Sequence, residues 1–103
     1  MTGQDIEVGF ETAKRLADSG SMVVWVKCEP DARESALLEE LSSNYLSFCP
    51  DELVGNDSDA IRAIGKKPVI VCSHGVTSMY VARHLRAMQV EAYSLKGGVE
   101  GPG

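Results

Sequence analysis

The run Pro68-Val69-Ile70-Val71-Cys72-Ser73-His74-Gly75-Val76-Thr77-Ser78 passes from consecutive apolar, β-branched residues into a short polar turn. An apolar run without alternation predicts a strand covered on both faces, as a parallel strand inside an α/β sheet is. A helix is predicted to follow, capped by Thr77 or Ser78, with Val81, Leu85 and Met88 recurring at core-facing intervals. Strand, turn and helix N-terminus together place a thiol at the carboxyl edge of the sheet, where such folds build their sites. Successive backbone N–H groups converge there, and the helix adds about half a positive charge, so both favour the thiolate of Cys72 and an anion beside it.

Outward from that run the same rhythm of apolar run and amphipathic stretch repeats. Strands are predicted at residues 22–26, 45–48, 68–71 and 92–95. Helices are predicted at 12–17, closed by Asp18-Ser19-Gly20, and around 59–64, closed by Gly65. A further helix starts near Pro30, with Asp31 and Glu34 spaced as a capping box and Leu37, Leu38 and Leu41 on one face. The fold class is therefore α/β, a three-layer arrangement with a central, mostly parallel sheet of about five strands and helices on both faces.

The chain has 103 residues, 44% of them apolar, enough for a single domain over 1–103 to bury a core without disulfide or metal staples. Fifteen acidic against ten basic residues give a net charge of −5, and no basic run exceeds Lys66-Lys67, so a nucleic-acid partner is disfavoured. The first residues are polar and the longest apolar runs, 22–26 and 68–72, are far too short to cross a bilayer. The expectation is a cytoplasmic protein with no membrane partner. Cys28, Cys49 and Cys72 are odd in number and widely separated, which argues against a disulfide framework and against a Cys-x-x-Cys zinc site. No metal and no cofactor are expected. Cys49, before Pro50, reads as structural, and His84, between Arg83 and Arg86, as solvated on the polar face of its helix.

Residues 68–72 followed by Gly75, Val76 and Thr77 resemble the active-site loop of the rhodanese-like sulfurtransferases. Tyr93-Ser94-Leu95-Lys96-Gly97-Gly98-Val99-Glu100-Gly101 is similar to that family's segment after the last strand, where a Leu-x-Gly-Gly pattern recurs. The likeness extends over nearly the whole chain and is strongest after Pro68. It implies a rhodanese-like fold in which Cys72 accepts sulfane sulfur as a persulfide and passes it to a thiol, cyanide or a sulfur-acceptor carrier protein. The donor would be a small sulfur compound such as thiosulfate or another persulfide. Ser73, His74, Gly75, Val76, Thr77 and Ser78 would form the substrate-binding loop through their N–H groups. Gly75 permits the tight turn, and the Thr77 and Ser78 hydroxyls add bonds to the sulfur or its donor.

Three departures from the family's pattern stand out. Ser73 and His74 occupy positions where many thiosulfate-using members carry Arg or Lys, Lys27-Cys28-Glu29 replaces the Asp-x-Arg motif after the second strand, and Pro102 stands where a Trp is usual. The first two favour an alternative reading as a non-catalytic binding or regulatory module. A cysteine phosphatase or arsenate reductase needs arginine six residues after the cysteine to grip a tetrahedral anion, and Ser78 stands there. Cys28 ends the other buried strand, near where the dual-specificity cell-cycle phosphatases of this fold carry a cysteine that pairs with the catalytic one. It is therefore a possible redox partner for Cys72.

Overall fold

The computed structural model describes residues 6–26, 32–42, 45–49, 51, 53, 55, 58–72 and 76–96. Five short strands, β1 (Glu7–Val8), β2 (Val23–Trp25), β3 (Tyr45–Ser47), β4 (Val69–Val71) and β5 (Tyr93–Leu95), make one sheet in the order β1-β5-β4-β2-β3. Every pairing among them is parallel. The helices are α1 (Phe10–Asp18), α2 (Ala32–Leu41), α3 (Ser58–Ile64) and α4 (Val76–Ala87).

Side chains on a strand alternate faces, and β2 and β4, two of the three inner strands, are apolar at every position, so the sheet carries a separate core on each side. Val24, Val26, Ile70 and Cys72 point to one face, where they meet Ala60 and Ile64 of α3 and Val81, Ala82 and Leu85 of α4. Val23, Trp25, Val69, Val71 and Leu95 point to the other and meet Ala13 of α1 and Leu38 and Leu41 of α2. Helix layers thus cover both faces, as the continuous apolar runs predict.

β1 was not predicted. It is a two-residue edge strand held by β5, with Ser94 N–H donating to Ile6 O at 2.7 Å and Lys96 N–H to Val8 O at 2.9 Å. Two residues are too few for a period to be read from sequence.

α1 closes with paired bonds, Gly20 N–H to Ala17 O at 3.0 Å and Ser21 N–H to Leu16 O at 2.9 Å, around Gly20 at φ +108°. This is a Schellman ending, and it lies at Asp18-Ser19-Gly20, where the sequence predicts the helix to close. Gly65, at φ +79°, follows α3 as expected. α4 begins at Val76, so Thr77 and Ser78 lie in its first turn instead of capping it, a correction with a consequence for the sulfur. An N-cap residue holds its hydroxyl toward the helix's own amides, whereas a first-turn residue can turn its hydroxyl inward.

Candidate functional site

β4 delivers Cys72 one residue past its last paired position, at the carboxyl edge of the sheet and between β2 and β5. The strand's alternation turns the side chain toward the α4 face, and Cys72 is 4% exposed. α4 then brings Ser78 back over the sulfur. Ser78 N–H donates to Cys72 Sγ at 3.2 Å, and the Ser78 hydroxyl stands 3.4 Å from the same sulfur. The amide is one of those at the helix N-terminus that have no partner within the helix, so the sulfur occupies a place made for an acceptor.

Behind Ser78 lies a second hydroxyl that sequence reasoning missed. Ser94 Oγ is 2.7 Å from Ser78 Oγ, and either atom can donate. Both serines are fully buried. In register Ile70 lies beside Ser94, so Cys72, two residues on from Ile70, shares Ser94's face of the sheet. A serine between Tyr93 and Leu95 of an otherwise apolar strand was the available signal, since a buried hydroxyl needs a partner.

Of the predicted loop, Val76, Thr77 and Ser78 are described; Ser73, His74 and Gly75 lie outside the described residues, as does Cys28 with its proposed pairing to Cys72. The Val76 side chain points outward, 75% exposed, and Tyr80 one turn later is 62% exposed. Thr77 is half-buried. The hydroxyl that reaches the sulfur is Ser78's, at the position where a cysteine phosphatase would carry its arginine.

Two other residues differ from expectation. Cys49 is exposed, because it follows the last residues of an edge strand and is not packed into the core. His84 is half-buried, with Nε2 out of contact with water and without a hydrogen-bond partner among the described residues. It sits three residues after Val81 and one before Leu85, both core residues of α4, so the ring lies at the rim of the apolar face and tucks inward.

Two surface clefts lie elsewhere. One of about 550 Å³ is lined by Gly9, Phe10, Leu37 and Lys96 among others, and one of about 330 Å³ by residues 19–22 and 63–67. Cys72 lines neither.

No family model matches the chain, and no curated protein is similar to it in sequence. Solved structures are similar in fold. A rhodanese homolog from Thermus thermophilus superposes with a TM-score of 0.69 at 20% identity, covering 96% of this chain and 100% of that one. The fold is that of a rhodanese-like domain. The reduced CoADR-RHD of Bacillus anthracis matches this chain at a TM-score of 0.66 and 17% identity, covering 93% of this chain but 16% of that one. A rhodanese-related protein from Thermoplasma volcanium gives 0.55 at 15% identity, covering 95% of this chain and 88% of that one.

Proposed function

We propose that this rhodanese-like domain is a sulfurtransferase that carries sulfane sulfur on Cys72. The Ser78 N–H directed at Cys72 Sγ supports the reading most strongly, because a helix-terminal amide given to a sulfur favours the anionic nucleophile and the anionic persulfide that replaces it. In the first half-reaction the Cys72 thiolate attacks the outer sulfur of a donor such as thiosulfate. A new S–S bond forms, the donor's own S–S bond breaks, and sulfite leaves with the electron pair. In the second, cyanide or the thiolate of an acceptor takes the outer sulfur and returns the Cys72 thiolate. Ser73, His74 and Gly75 complete the substrate loop in this reading. The partners are a small sulfur donor and an acceptor that is either a small molecule or a carrier protein.

The burial of Cys72 among Val24, Ile70 and Leu85 favours a second reading, a non-catalytic binding or regulatory module. Intact mass after incubation with thiosulfate, mercaptopyruvate or a small persulfide separates the two. Sulfur transfer predicts a gain of one sulfur atom that cyanide discharges and that Cys72→Ser abolishes. No gain from any of these donors would overturn sulfur transfer and favour the binding module.

A further inference from the structure

We propose that Ser94, on β5, is a positioning residue that sets how readily Cys72 ionises, acting through Ser78 along the hydrogen-bonded chain Cys72 Sγ, Ser78 Oγ, Ser94 Oγ. Its bearing on sulfur transfer rests on the reading above, whereas the chain itself does not. When Cys72 is a thiol, its S–H points to Ser78 Oγ, and the Ser78 O–H points on to Ser94 Oγ. When Cys72 is a thiolate, that direction is wrong for the sulfur. The Ser78 O–H turns to donate to the sulfur, alongside the Ser78 N–H, and the Ser94 O–H turns to donate to Ser78 Oγ. No bond between heavy atoms is made or broken. The proton lost from the thiol goes to solvent or to a base in the medium, and the two hydroxyls reverse.

The burial and the direction of the two hydroxyls carry this beyond a packing contact. Each serine is fully buried, where alanine would fill the place without a polar group to satisfy, and each hydroxyl finds its partner in the direction of the sulfur. Among the described residues, Val24 of β2, Ile64 of α3 and Leu85 of α4 pack in the same apolar cluster as Cys72. The charged groups of those helices lie elsewhere: Asp59 and Arg62 of α3 and Arg83 of α4 are exposed, and Arg86 donates to Ala92 O. His84 of α4 is half-buried at the rim of that helix's apolar face, and the Tyr93 hydroxyl on β5 donates to Glu91.

The test follows iodoacetamide labelling of Cys72 against pH by peptide-resolved mass spectrometry, with melting temperature recorded for each variant. Ser94→Ala is expected to move the labelling midpoint to higher pH and slow labelling at neutral pH roughly two- to tenfold, the size of one hydrogen bond. Ser78→Ala moves it at least as far. The double variant Ser78→Ala/Ser94→Ala moves it no further than Ser78→Ala alone, because Ser94 acts only through Ser78. Ser94→Thr, which keeps the hydroxyl, retains the original profile. A Ser94→Ala protein that melts lower but labels with an unchanged profile would reduce the pair to a helix-to-strand packing bond and overturn the proposal, as would additive shifts in the double variant. Since labelling needs no sulfur donor, a protein that takes up no sulfur yet shows this coupling refutes the sulfurtransferase reading and leaves the role of Ser94 standing.

Discussion

Cys72 packs on one face of the sheet among Val24, Ile70 and Leu85, and the amide and hydroxyl of Ser78 both reach its sulfur. The amide was foreseeable from the order strand, turn, helix. The pairing of Ser78 with Ser94 was not, because it joins residues sixteen apart through sheet register, which a single sequence does not display. His84 misled for a related reason: Arg83 and Arg86 mark a polar face, but a ring one residue from Leu85 lies on its border. Tyr93 carries a separate residue-scale consequence. Its hydroxyl donates to Glu91, and this bond, with partial burial and the negative charge of Glu91, holds its pKa above the ordinary value of 10.0 against the opposing pull of Arg86. A phenol whose folded value is raised contributes stability that is complete below about pH 10 and is lost as pH climbs through the folded value. Glu91→Gln should therefore bring the Tyr93 ionisation midpoint down, read as the difference in the phenolate absorbance titration between the variant and the parent protein. An unchanged midpoint would remove Glu91 as the cause.

At the scale of elements, the ends of the helices show which signals a sequence displays and which it hides. Gly20 after α1 announces a left-handed turn. α4 ends in the same paired bonds, Gln89 N–H to Arg86 O and Val90 N–H to Leu85 O, each at 3.0 Å, yet Gln89 holds the positive φ of +68°. Nothing in the identity of a glutamine forecasts that conformation. The two positions make opposite predictions. A Cβ at Gly20 meets nothing within 4 Å, so Gly20→Ala suffers the backbone penalty, partly offset by the smaller freedom of alanine in the unfolded chain, and should lose about 0.5–1 kcal/mol. Gln89→Gly relieves a similar penalty, offset by the greater freedom of glycine in the unfolded chain, and should gain about 0.5–1 kcal/mol. Thermal melts decide both; a Gln89→Gly protein that melts lower would contradict this account of the α4 terminus. The start of α4 follows the same lesson: one residue of difference in where the helix begins changed Ser78 from an expected cap into the partner of the sulfur.

For the molecule as a whole, the two apolar inner strands, β2 and β4, determined most of what could be read in advance. A strand buried on both faces requires helices on both, and the split cores around Ile70 and Val71 follow from alternation alone. Strand order and the edge strand β1 were hidden, since neither leaves a pattern in one chain. Among the described residues no helix is long and apolar enough to cross a membrane. The same whole-molecule view sets burial and activation against each other. Cys49 is exposed at the rim of the sheet, and Cys72 is buried at its carboxyl edge with a helix terminus aimed at it. If access alone governs reactivity, Cys49 reacts first; if the helix-terminal amide governs it, Cys72 does. The most direct measurement treats the intact protein with a small persulfide donor at neutral pH and maps the added sulfur peptide by peptide. The account predicts that the first equivalent appears on the peptide containing Cys72, and sulfur that accumulates on Cys49 while Cys72 stays unmodified would contradict it.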